Sequence, residues 1–96
     1  MRPLETPPPG AAAHERVLAH AEVLRGDVRA LGECAERLRA VQERLAANGL
    51  APRWLGESVA AHLAACAVAA ADLDAAAARL TAYAARLARE HRGRRT

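Results

Sequence analysis

Three side chains in this chain have the type and spacing to hold a metal ion. His62 and Cys66 are four residues apart and so share one face of a helix, and Cys34 lies on an earlier segment that a chain reversal brings alongside. The two cysteines are also candidates for a disulfide, which requires Cα atoms within about 7 Å. The metal set lacks an obvious fourth ligand, and the Glu-x-x-His pairs of di-iron bundles are absent from the sequence, so no metal or cofactor is expected. Two small buried thiols in a reducing cytoplasm are the favoured state. His14 and His91 fall near the same end of such an arrangement, where two imidazoles would form a pH-sensitive contact. There is no glycine-rich phosphate loop, no Ser/His/Asp set and no pair of carboxylates in an apolar setting. The chain offers no catalytic residues, and an enzyme is not expected.

The elements that position these residues follow from apolar spacing. Apolar or small residues recur at Val17, Ala21, Leu24, Val28, Leu31, Ala35, Leu38 and Leu45, in alternating steps of four and three with Gln42 filling one slot, which is the seam of a coiled coil. The other faces carry charge, with Glu33 and Arg37 at the favourable four-residue spacing. Asn48-Gly49 supplies left-handed residues that stop a helix, and Pro52 prevents its resumption. A second seam then runs through Val59, Leu63, Cys66, Ala70, Leu73, Ala77, Leu80, Ala84 and Leu87. The spacing predicts a leader over 1–11, a helix over 12–47, a turn over 48–56, a helix over 57–91 and a basic tail over 92–96. Two helices joined by a short connection must run antiparallel, so the expected fold is an all-α helical hairpin.

Composition agrees. Of 96 residues 27 are Ala and 12 Leu, with no Phe and no Ile, which favours helix over strand. All fourteen basic residues are Arg, as the coding bias of a GC-rich genome produces. The formal charge of +3 hints at nucleic acid, yet residues 15–90 balance ten Arg against ten Asp plus Glu. The excess sits in Arg92, Arg94 and Arg95, so a nucleic-acid-associated protein using those residues with Arg89 is the alternative function rather than the leading one. Aromatic residues for stacking on bases are missing. The Pro-rich N-terminus has no apolar run of secretory-signal length and is expected to be disordered. Val59 to Ala71, free of formal charge, is shorter than the roughly 20 residues of a membrane span, so no span is expected and the chain should be cytoplasmic.

One seam is a thin core when much of it is Ala, whose burial contributes about 0.8 kcal/mol per methyl-sized group. The second helix is apolar or small nearly all round, with His62 as the one polar side chain between Val59 and Ala71. A helix of that kind is expected to be covered on more than one side. A second hairpin, either its own copy or a related partner, would complete a four-helix bundle. Val59, Leu63, Cys66, Val68, Leu73, Leu80 and Leu87 are the expected partner interface.

The connection contains Trp54-Leu55-Gly56, with the chain's one Trp placed between two long helices of a protein of about this size. That arrangement resembles the WxG family of small helical-hairpin proteins associated with type VII secretion in Actinobacteria and Firmicutes. The resemblance covers roughly 12–91. It implies a dimeric four-helix bundle without catalytic activity, either exported without a cleavable signal peptide or held as the partner of a larger secreted effector. It also implies an export signal of Tyr-x-x-x-Asp or Glu after the second helix. Here Tyr83 is followed four residues on by Leu87, so the acid is missing. Taken on their physics alone, Trp54 would close the hairpin end with its large ring, and Gly56 would permit a close backbone approach or a positive φ.

Overall fold

The computed structural model describes residues 9–95, with side chains described for 12–94. It consists of two antiparallel helices, α1 over Pro9–Ala47 and α2 over Leu55–Arg95. The radius of gyration is 21.3 Å, against about 12.5 Å for a compact chain of this length, so the molecule is a rod.

The helix ends follow from local chemistry. Pro9 opens α1, where its missing N–H has no intrahelical partner to lose and its fixed φ suits the first turn. Helix α1 therefore begins three residues before the expected Ala12; the rest of the expected leader, 1–8, lies outside the described residues. At the other end Gly49 adopts φ +67°, and two bonds close the stop: Gly49 N–H donates to Ala46 O (3.2 Å) and Leu50 N–H to Leu45 O (2.9 Å). This left-handed closure satisfies carbonyls that the helix would otherwise leave without donors. Helix α2 starts at Leu55, two residues earlier than the spacing predicts, because the Trp54 carbonyl already accepts from Ser58 N–H (3.1 Å). Glu57 sits in its first turn, where a carboxylate meets the positive end of the helix dipole. The helix then continues through Gly93 to Arg95, past the expected end near His91. The segment read from sequence as a basic tail is helical over 92–95, where arginines meet the negative end of the dipole.

The two helices keep one register along the rod. His14 lies opposite Ala84, and Gln42 opposite Gly56, so 28 residues forward in α1 match 28 residues back in α2. Buried at the seam are Ala21, Ala35, Val59, Ala77 and Ala84, and among the described residues no large side chain is fully buried. The seam leucines, such as Leu31 and Leu73, are half-buried: each touches one neighbouring helix and faces water on its flanks. Polar contacts across the seam are few. The His14 ring N–H donates from Nδ1 to Ala84 O (2.8 Å), and Arg25 donates to the Thr81 hydroxyl (2.9 Å), which in turn donates to Ala77 O (3.0 Å).

Candidate docking surface

The arrangement separates the side chains that could do chemistry. Neither thiol is buried as expected: Cys34 precedes the buried seam residue Ala35 by one position and is exposed, whereas Cys66 is half-buried in the groove beside Leu31, Gly32 and Ala35. Both thiols are free, and the disulfide read as available from sequence is not formed. The reason is rotational: one residue on a helix is a turn of about 100°, enough to carry Cys34 off the face that Cys66 occupies. The His62 Nδ1–H donates to Ser58 O one turn back (2.7 Å), within its own helix. Among the described residues no group of three or more His, Cys, Asp or Glu side chains converges on a metal-sized site. His14 and His91 do not meet either. His14 bonds at the level of Ala84, and His91 lies seven residues, or about 10 Å, further along α2.

The turn also differs from its expected role. Trp54 is 65% exposed, so its ring does not close the hairpin end; it contributes its backbone carbonyl to α2 instead. Gly56 is an ordinary helical residue, since Gly49 is the positive-φ glycine. A Cβ at Gly56 would meet only the Gln42 side-chain amide, at 3.9 Å, which is normal van der Waals contact. Tyr83 is exposed on the flank of α2, with the Arg86 guanidinium 5.3 Å from its ring centre.

The seven residues expected at a partner interface divide in two. Val59 is buried against α1, and Leu63, Cys66, Leu73, Leu80 and Leu87 are half-buried along the same seam. Only Val68, 62% exposed, lies on a face that α1 does not touch. The physical reason is that the leucines mark the seam and the alanines mark what lies behind it. Behind the seam α2 presents Ala61, Ala64, Ala71, Ala75, Ala78 and Ala82 to solvent, together with Val68. In the sequence these alanines are an excess of small residues; in the structure they form one continuous face.

Charge follows the same division. Helix α1 carries six Arg and six Asp or Glu, and several are paired: Glu22 with Arg25 (3.8 Å) and Arg29 (3.7 Å), and Glu36 with Arg39 (2.7 Å). The expected Glu33–Arg37 pair is not formed; Glu36 takes Arg39 at the three-residue spacing instead. In α2, residues 55–78 hold three acids and no base, whereas 79–95 hold six Arg and one Glu. None of the described charged side chains of α2 is in an ion pair.

Helix α2 also contains an 18-residue window that is long and apolar enough to cross a membrane by composition, and about one residue in eighteen of it is fully buried. The sequence expectation of no such segment rested on the run without charges; allowing Asp72 and Asp74 lengthens the apolar stretch. No family model, curated protein or solved structure matches this chain.

Proposed function

We propose that this chain is a non-catalytic interaction protein whose second helix docks a further helical hairpin. The observation that carries the proposal is the exposure of α2: in its most apolar stretch about one residue in eighteen is fully buried and the seam residues are only half-buried, although α1 runs alongside it. A core of four alanines and one valine is small support for two helices of 39 and 41 residues. The ordering entropy of each residue, about 1 kcal/mol or more, needs more burial than this seam supplies. A second hairpin over α2 would remove the remaining apolar surface from water and complete a four-helix bundle. Protein is a better cover than lipid, because Asp72 and Asp74 sit midway along α2 and each would cost roughly 2.5–3.5 kcal/mol at a bilayer centre.

The finer role is that of a type VII secretion substrate or the partner of an exported effector. It rests on the resemblance of Trp54-Leu55-Gly56, set between two long helices, to the WxG family. The exposed indole supports it to the extent that a side chain not used for folding is free for recognition. This role is tested by following the chain into the culture medium of a type VII-competent bacterium with and without the secretion ATPase; ATPase-independent retention in the cell would overturn it.

Docking itself is tested by light scattering and thermal melts over a range of concentrations. The expected result is either an oligomer with a concentration-dependent Tm or a poorly folded single chain. A monomer that melts cooperatively, at a temperature independent of concentration, overturns the proposal.

A further inference from the structure

The outer face of α2 has a pattern that names its occupant. A row of positions runs from Glu57 to Arg89 in alternating steps of four and three residues, the spacing of a second coiled-coil seam. Between the two charged ends stand seven alanines and Val68, and all ten positions are exposed. Steps that begin and end with four read the same in both directions. Two copies of the row laid antiparallel therefore match layer by layer: Glu57 with Arg89 of the second copy, Ala64 with Ala82, Val68 with Ala78, and Ala71 with Ala75.

Resting on the docking role proposed above, we infer that the partner on this face is a second copy of the same chain, with α2 packed antiparallel against α2 about a two-fold axis between Ala71 and Ala75. The register that places small residues against small residues in every inner layer also places an acid against a base at both ends. Parallel packing would set Glu57 against Glu57 and Arg89 against Arg89. In this register residues 55–67 of each α2 lie along 79–91 of the other, which sets Glu57 beside the arginine-rich segment, while Asp72 and Asp74 come level with Asp74 and Asp72 of the second copy near the two-fold axis. Asp72 and Arg79 stand on one flank of the row, and Arg79, about 7.5 Å along the axis, is the base nearest to Asp72 of the second copy. Neither has an ion-pair partner among the described residues of its own chain. Alanine rows let helix axes approach to about 8 Å, the close end of ordinary packing. The surface available is of the right size: the chain exposes 7297 Å², about 2,000 Å² more than a compact protein of 10.2 kDa. An ordinary stable interface removes about 600–1,000 Å² from each partner, well within that excess.

The test uses the full chain with Cys34→Ala and Cys66→Ala as background. One version carries Ala64→Cys and another Ala82→Cys, and the two are mixed and treated with a short bismaleimide. The expected product links the two versions to each other, with neither linked to itself, since like positions lie about 27 Å apart in this register. In parallel, Glu57→Arg should weaken association roughly tenfold by sedimentation, and adding Arg89→Glu to the same chain should restore it. A dimer that links like positions, or ignores both charge reversals, overturns the antiparallel pairing and leaves the docking role standing. A poorly folded monomer also overturns the self-pairing while leaving docking to a different hairpin. A cooperatively folded monomer overturns both.

Discussion

The two helices are nearly equal in length and share one seam, yet they are built for different surroundings. Behind the seam α1 presents interleaved acids and bases that pair along its own surface, as Glu22 does with Arg25 and Arg29. Behind the same seam α2 presents alanines and Val68, with three acids over 55–78, its arginines over 79–95 and no ion pair among its described side chains. Exposed ion pairs contribute little energy, a few tenths of a kcal/mol each, but they solvate a helix face well. Alanine does neither: it offers no polar group to water and little area to a neighbour unless the neighbour comes close. The contrast teaches that α1 is finished as a surface, whereas α2 is finished as half of an interface.

The sharpest way to break that comparison is to charge both outer faces equally. Ala71→Glu with Ala78→Glu on α2 places two carboxylates in the inner layers of the proposed pairing and should weaken association by more than roughly a hundredfold, as expected for buried unpaired charge. Ala19→Glu with Ala40→Glu on the exposed side of α1 should change it by less than about twofold. Sedimentation equilibrium reads both. Equal losses from the two helices would mean that the outer faces are not different in kind.

A second pair of substitutions separates seam from outer row within α2. Leu73→Ala removes a half-buried leucine that packs toward α1, lining a groove with Leu31 and Ala69, and should destabilise the fold by about 2 kcal/mol in urea titrations. Val68→Ala removes an exposed side chain and should leave the stability of the single hairpin within about 0.5 kcal/mol, its effect appearing only in association. The reverse order of sensitivities would place the wrong face against α1.

How much of this was legible in the sequence depends on residue type. Where leucine alternates with charge, as over Leu24, Leu31 and Leu38, the period identifies the helix and its buried side together, and the structure keeps both. Asn48-Gly49 was equally readable, because a left-handed residue is a backbone requirement that few side chains meet. In α2 the period is ambiguous. Ala recurs on several faces at once, so leucine and the buried Val59 alone mark the seam, and the outer row shares their spacing. Trp54 and Gly56 misled for a different reason. A large ring in a turn is ordinarily expected to be covered, and a glycine there to have a positive φ; yet α2 begins at Leu55, which makes Gly56 helical and leaves the indole outside. The cysteines were close in level but not in rotation, and a sequence gives level more easily than rotation.

Smaller effects refine the account of α1. Gly49→Ala forces a side chain into the left-handed region at the helix stop and should lower stability by about 1 kcal/mol, measured by thermal melting. Gly32→Ala should do the opposite. A Cβ at Gly32 would meet nothing within 4 Å, so the substitution adds helix propensity without a clash and should raise stability by about 0.5–1 kcal/mol. If Gly32→Ala instead weakens association while stabilising the hairpin, the α1 side of the groove beside Cys66 belongs to the interface, and the division between the helices is less complete than drawn here.

The smallest expected change in stability is at the largest side chain. Trp54 gives α2 a carbonyl acceptor for Ser58 N–H through its backbone, a role that survives replacement, while its ring is largely in water. Trp54→Ala should therefore shift the unfolding free energy by less than about 0.5 kcal/mol. As the chain's one Trp, the indole also reports its own surroundings: its fluorescence should be that of a solvent-exposed ring in the isolated hairpin. It lies one turn beyond Glu57, outside the row proposed to pair, so association through α2 should change that emission less than it changes the signal of a probe attached at Ala71→Cys in the Cys34→Ala, Cys66→Ala background. A loss of about 2 kcal/mol on replacement, or an indole already shielded in the monomer, would show that the turn is part of the core. In that case the loop would belong to the core, and the exposed surface of the molecule would be confined to the outer faces of its helices.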